Sequence, residues 1–255
     1  MIDIEKKIND LFVAHGASEQ NDDLLQAVLS TLSGVDELSK EITIDTSRQD
    51  RCGFPEVIYG ASKTSDQLVQ ICDLFITKEM NILITRLSQE KASVICQKFP
   101  DIQYDEIAQT AMQIFNSSDL SGTVKVVTAG TSDSSVANEA LNTLLFLGYD
   151  AELIGDVGVA GLHRLLRKKE LLDTADVLIV VAGMEGALPS VIGGLVDKPV
   201  IAVPTSVGYG ASSHGIAALL GMLSSCASGL TVCNIDNGFG AACAAHRILK
   251  LIQNS

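Results

Sequence analysis

The 255-residue chain contains no tryptophan, and aromatic residues make up only 4% of it. Stacking platforms for bases are therefore scarce, and nucleic acid is not an expected partner. Basic residues are also few: 18 Lys and Arg stand against 31 Asp and Glu, a formal net charge of −13. That balance supplies no cationic footprint for a phosphate backbone or an anionic membrane, so a bound phosphate must be held locally, through backbone N–H groups. No apolar run reaches the roughly 18 residues of a membrane span. Met1 to Lys7 lacks the basic-then-apolar pattern of an export signal, and the expectation is a cytoplasmic protein. The cysteines at 52, 72, 96, 226, 233 and 243 form no CxxC pair, and the histidines at 15, 163, 214 and 246 show no HxH or HExxH spacing. Neither a zinc cluster nor a disulfide framework is expected.

Apolar residues are plentiful, at 47%, enough for a sizeable core, and a prior of about one domain per 150 residues allows one large or two modest domains. Residues 3 to 14 carry Ile4, Ile8, Leu11 and Phe12 on one helical face, and a second helical stretch runs near Asp22 to Leu32. Together they suggest a helical segment over residues 1 to 34. A small α/β domain then spans 35 to 119. Its strands are expected at Glu41 to Ile44, Gly53 to Gly60 and Asn81 to Thr85. Its helices are expected after Thr64, a plausible cap, from Ser88 to Phe99, and from Asp105 to Ser121. The last helix ends in the polar run Asn116-Ser117-Ser118-Asp119. Arg48, Arg51 and Lys63 are notable in so acidic a chain; they suit either an oxyanion partner or a solvated loop with ion pairs.

From Thr123 the grammar changes. Short apolar runs at Val124 to Thr128, Asp150 to Ile154, Val177 to Val181, Val200 to Val203 and Leu230 to Asn234 alternate with helical patterns at Ser134 to Leu147, Gly161 to Glu170, Pro189 to Leu195, Ser213 to Ser225 and Gly240 to Ile252. Strict alternation predicts a doubly wound parallel sheet with right-handed crossovers over residues 120 to 255. The fold class is α/β, with the smaller α/β domain in front.

In such a sheet the loops after the strands gather along one edge, where ligands bind. Five loops are rich in glycine, small hydroxyls and acids. The first is Ala129-Gly130-Thr131-Ser132-Asp133, whose backbone N–H groups and hydroxyls can hold a phosphate while Asp133 accepts from ribose hydroxyls, or whose Ser and Asp merely cap a helix. The second, Gly155-Asp156-Val157-Gly158, lacks GxGxxG, so a dinucleotide fold of that type is not supported. The third follows the apolar run Leu178-Ile179-Val180-Val181-Ala182 and reads Gly183-Met184-Glu185-Gly186-Ala187-Leu188-Pro189, placing Glu185 beyond a buried strand as a site carboxylate or a helix cap. The fourth runs from Pro204 through Thr205, Ser206, Val207, Gly208, Tyr209 and Gly210 to His214, and the fifth is Asn234-Ile235-Asp236-Asn237-Gly238-Phe239-Gly240. A shared site for a small-molecule nucleotide accounts for all five, lined by Gly130, Thr131, Ser132, Asp133, Asp156, Gly158, Gly183, Met184, Thr205, Ser206, His214, Asp236 and Asn237. Cys226, in Ser224-Ser225-Cys226-Ala227-Ser228-Gly229, falls at an expected helix end, the negative pole, which does not favour a thiolate. It is either a nucleophile activated by a cationic ligand or a small buried hydrophobe. No metal ligands can be named.

Two families resemble these motifs. The Gly130-Thr131-Ser132-Asp133 turn and Gly186-Ala187-Leu188-Pro189 resemble the aminoimidazole ribonucleotide carboxylases and mutases, whose pattern has a histidine where this chain has Ala187. A resemblance over almost the whole chain links it to the pyridinium-3,5-biscarboxylic acid mononucleotide synthases, the LarB family. It rests on Arg51-Cys52-Gly53-Phe54-Pro55-Glu56-Val57-Ile58-Tyr59-Gly60 and on the first, third, fourth and fifth loops. One departure is Thr46-Ser47, where that family usually has a histidine pair before the arginine at 48. This resemblance implies a flavodoxin-like catalytic domain, carboxylation of nicotinic acid adenine dinucleotide by CO2 with release of AMP, and a divalent cation, Mg2+. It further implies Cys226 and Glu185 as catalytic residues, a homo-octamer, and a place at the start of nickel-pincer nucleotide synthesis. The alternatives are an aminoimidazole ribonucleotide carboxylase or mutase, and a nucleotide-binding regulatory module without chemistry.

Overall fold

A computed structural model describes residues 35–39, 42–118 and 120–253. The helices expected at 3 to 14 and 22 to 32 lie outside the described residues. The described residues open with an antiparallel pair, β1 (Val35–Ser39) and β2 (Ile42–Asp45), of which only the second strand was expected. The charged stretch after it forms a short helix, α1 (Arg48–Cys52), rather than a loop.

A four-stranded sheet follows, built from β3 (Ile58–Tyr59), β4 (Ile82–Thr85), β5 (Gln103–Asp105) and β6 (Thr110–Gln113) in the order β3-β4-β6-β5. Helix α2 (Ser65–Thr77) buries Leu68, Ile71, Cys72 and Phe75, a spacing that puts one apolar face on the sheet. Thr64 starts it with a full capping box shared with Gln67. Helix α3 (Gln89–Lys98) is capped by Ser88.

The helix expected over Asp105 to Ser121 is not formed; residues 103 to 113 make a hairpin instead. Asp105 explains the turn, because its carboxylate accepts the N–H groups of Ile107 at 2.9 Å and Ala108 at 3.0 Å, a local bond that competes with a helix.

The second sheet is wholly parallel. Its strands are β7 (Thr123–Thr128), β8 (Asp150–Ile154), β9 (Val177–Ala182), β10 (Val200–Pro204) and β11 (Leu230–Val232), in the order β11-β10-β9-β7-β8. Helices α4 (Ser134–Leu147) and α9 (Gly238–Gln253) pack on one face. On the other lie α5 (Leu162–Leu166), α6 (Lys169–Asp173), α7 (Leu188–Gly193) and α8 (Ile216–Leu223). Gly161 to Glu170 thus breaks into two short helices where one was expected. With both faces covered, every residue of β9 and β10 is buried, and each large aliphatic there contributes about 1.5–3 kcal/mol. The strand order reverses between β7 and β9, the switch point of a flavodoxin-like sheet.

Helix α4 lies between the two sheets. Leu83 of β4 joins its core, and Asn142 donates to Asp105 at 2.9 Å and to Thr110 at 2.8 Å.

Candidate functional site

The loops after the five parallel strands meet at one edge, and their backbones are unusually strained. Asp156, Met184, Ser213, His214 and Asp236 all hold positive φ between 47° and 56°. Left-handed backbone at non-glycine residues persists only where surrounding contacts enforce it, and it concentrates at functional sites.

At the switch point, Asp133 ties three loops together. It is 3% exposed. Its Oδ2 accepts the Gly130 N–H at 3.0 Å and its Oδ1 accepts the Thr205 hydroxyl at 2.7 Å, while the Gly183 N–H also donates to it. Burial pushes its pKa up, and these donors oppose the rise. Gly183 is required by crowding, since a Cβ there would stand 2.4 Å from the Val207 carbonyl and 2.6 Å from the Thr205 hydroxyl. Asp133 thus organises the edge, while Thr131 and Ser132 beside it are exposed.

A second knot joins the fourth and fifth loops. The Ser206 N–H donates to Asp236 at 2.8 Å, and the Asp236 N–H donates to the Pro204 carbonyl at 2.9 Å. Asn237 is occupied structurally, accepting from the Gly240 N–H at 2.8 Å as the cap of α9. Asp156 pairs with Arg164 at 2.6 Å, and Gly158 packs so closely that a Cβ would lie 2.7 Å from the Ala129 carbonyl. Met184 is 40% exposed, and its N–H donates to the Val207 carbonyl at 2.8 Å. His214 is exposed.

Glu185 is exposed and caps nothing: α7 begins after Ala187 without a side-chain cap bond. Helix α8 lies directly against it, because a Cβ on Gly221 would be 2.4 Å from the Glu185 carbonyl oxygen. Helix α8 ends at Leu223, so Cys226 sits beyond it in a turn, which Ser225 pins through its hydroxyl contact with Ser190 at 2.7 Å. Cys226 is exposed, which corrects the reading of a small buried hydrophobe. Cys226 and Glu185 therefore flank one helix, with no hydrogen bond between them. Cys72 and Cys243, by contrast, are pushed up to about 12 by burial and are inert core thiols.

Two residues here escaped the sequence analysis. Arg86, which follows β4 and has a φ of 52°, donates across the domains to the Asp236 carbonyl and lies 3.6 Å from Glu139. Glu139, buried on α4, accepts the Phe239 N–H at 3.1 Å and so holds the start of α9. Burial raises its pKa. The legible signal was an acid on the apolar face shared by Val136, Ala140 and Thr143.

Among the described residues no three His, Cys, Asp or Glu side chains come together as a metal site, and no helix is long and apolar enough to cross a membrane.

Residues 36–114 match the family described as LarB/PurE-like N-terminal domain, and residues 123–255 match AIR carboxylase. An uncharacterized protein of Methanocaldococcus jannaschii is 40% identical over 257 residues, covering 97% of this chain and 99% of that one. The N5-carboxyaminoimidazole ribonucleotide mutase of the same organism is 36% identical over 131 residues, 49% of this chain and 78% of its own. The crystal structure of a PurE2 variant from Treponema denticola aligns at 25% identity with a TM-score of 0.41, over 51% of this chain and 80% of its own. The chain belongs to the AIR carboxylase family of carboxylases and mutases, in the LarB-like form that carries a LarB/PurE-like domain ahead of the AIR carboxylase domain.

Proposed function

We propose that the protein carboxylates the pyridinium ring of nicotinic acid adenine dinucleotide with CO2 and hydrolyses the phosphoanhydride. The products would be pyridinium-3,5-biscarboxylic acid mononucleotide and AMP. The observation that carries this reading is the exposed Cys226 in a turn one helix away from the exposed, uncapping Glu185, on a chain with the LarB-like domain pair. The second reading, an aminoimidazole ribonucleotide mutase, draws on the 36% identity over the C-terminal half. It lacks the histidine of that family, since the position is Ala187.

The pyridinium ring is an electrophile, as is CO2, so the ring must first become electron-rich. The Cys226 thiolate adds to ring carbon 4, giving a dihydropyridine whose carbon 5 is enamine-like. Carbon 5 attacks CO2, Glu185 removes the proton left there, and expulsion of the Cys226 thiolate restores aromaticity. The cationic ring itself favours the thiolate. The exposed Thr131 and Ser132 at the start of α4 face the diphosphate, and water cleaves the anhydride to release AMP. The protein's own residues do not form a cage for Mg2+ among those described. A divalent cation at this edge would take its ligands mainly from diphosphate oxygens and water.

The protein is further proposed to assemble as a homo-octamer. Ile216, Leu220 and Leu223 are 46%, 57% and 62% exposed along one stripe of α8, the helix whose Gly221 meets the Glu185 carbonyl and whose end precedes Cys226. A second copy covering that stripe would exclude water from the reacting ring.

Mass spectrometry of the protein quenched during turnover tests the chemistry. Cys226→Ala should form neither the ring adduct nor the carboxylated product. Glu185→Gln should accumulate the adduct and stall before rearomatisation. A substantially active Cys226→Ala variant would remove the thiolate step.

A further inference from the structure

The basic residues noticed in the N-terminal domain have no part in that chemistry. In the structure one of them, Arg48, meets α9 around Phe54, while Arg51 turns to Asp45. The guanidinium carbon of Arg48 lies 5.1 Å from the Phe54 ring centroid, and that of Arg247 lies 6.0 Å from the same centroid. The Lys250 ammonium presses on Gly53, where a Cβ would stand 2.8 Å from it. Two carboxylates answer part of this charge: Glu56 pairs with Arg48 at 3.3 Å, and Asp45 with Arg51. Among the described residues no acid pairs with Arg247 or Lys250, and the Nε of Arg48 is buried without an acceptor. With only Arg48 paired to an acid, the cluster keeps positive charge that an anion would neutralise. In a chain of net charge −13, such a concentration of cations is a built feature rather than a general property of the surface. Arg247 follows Gly238 by nine residues along α9, about 14 Å from the strand-end loops at 1.5 Å per residue.

We propose that Arg48, Arg247 and Lys250 form a second binding site, for a phosphate or diphosphate group, separate from the strand-end loops. Two planar forks and a point charge match several oxygens carrying two or more negative charges, whereas a lone carboxylate would leave the cluster under-neutralised. Glu56 holds Arg48 from one side and orients its fork.

The test is calorimetric titration of the full chain with pyrophosphate at constant ionic strength. Arg247 and Lys250 are exposed on α9, so the double variant Arg247→Gln, Lys250→Gln should melt like the wild type. It should lose at least about a hundredfold in affinity, two charge-assisted bonds being removed. Arg48→Lys, which keeps the charge and loses the fork, should fall in between. Equal affinity in wild type and double variant, or no binding by the wild type, overturns the site. Competition with nicotinic acid adenine dinucleotide separates two sources of the same chemistry. An unchanged KM in the double variant identifies an independent phosphate ligand, whereas displacement together with a raised KM makes the cluster part of the substrate's own site and overturns its separateness. Because binding is read without turnover, the result stands whether or not the proposed reaction is correct.

Discussion

His246 shows how one residue joins the two domains. It is 3% exposed, with its Nε2 2.9 Å from the Gly53 carbonyl and its Nδ1 2.9 Å from the Tyr149 hydroxyl. Nε2 faces a carbonyl that can only accept, so it donates there, and Nδ1 shares a hydrogen bond with the Tyr149 hydroxyl. Burial, reinforced by Lys250 and Arg247, pushes its pKa below the ordinary 6.5, against the pull of the Gly53 bond. Below 6.5 the unfolded chain takes up a proton that the native ring refuses. Stability is then full above that pH and declines as pH falls below it. Asp133 and Glu139, whose pKa values burial raises, act in the opposite direction, starting from the lower carboxylate range. The urea midpoint should accordingly fall between pH about 7 and about 5.5, and His246→Gln should flatten that slope. Identical slopes would remove His246 from the account. In sequence His246 is one of four unclustered histidines, because its partners are 97 and 193 residues away.

At the level of elements, the contact between α8 and the Glu185 loop decides whether the two proposed catalytic residues share a space. Gly221→Ala would place a Cβ 2.4 Å from the Glu185 carbonyl, closer than packed atoms allow, so helix and loop must part. The variant should lose about 1–3 kcal/mol of stability and about ten- to a hundredfold in kcat, since misplacement by an ångström costs that much. Wild-type turnover would mean that α8 does not position Glu185. Gly221 carried no signal in sequence, because its need arises from a backbone 36 residues away. The parallel strands were legible for the opposite reason: β9 reads as an unbroken apolar run bounded by turn residues, and burial on both faces demands that composition. The hairpin at 103 to 113 was misread as helix because its turn is set by one Asp105 carboxylate rather than by apolar spacing. The five site loops were legible in composition, whereas the Arg86 bridge to Asp236, spanning 150 residues, was not.

For the whole molecule, the apolar stripe of Ile216, Leu220 and Leu223 predicts that the monomer is not the working unit. Leu220→Glu with Leu223→Glu should shift the mass in sedimentation from that of the proposed octamer toward smaller species, and turnover should fall with it, because the stripe lies on the helix that meets Glu185 and leads to Cys226. An unchanged mass would place the interface elsewhere. The two-domain arrangement carries the same logic inward: Arg86 of the first domain grips the loop that bears Asp236 in the second. The most direct test of the reaction incubates the purified protein with nicotinic acid adenine dinucleotide, isotope-labelled bicarbonate and magnesium, and follows products by mass spectrometry. The account predicts AMP and a labelled dicarboxylated mononucleotide in equal amounts; conversion of aminoimidazole ribonucleotide in a parallel incubation, with neither of those products formed, would contradict it.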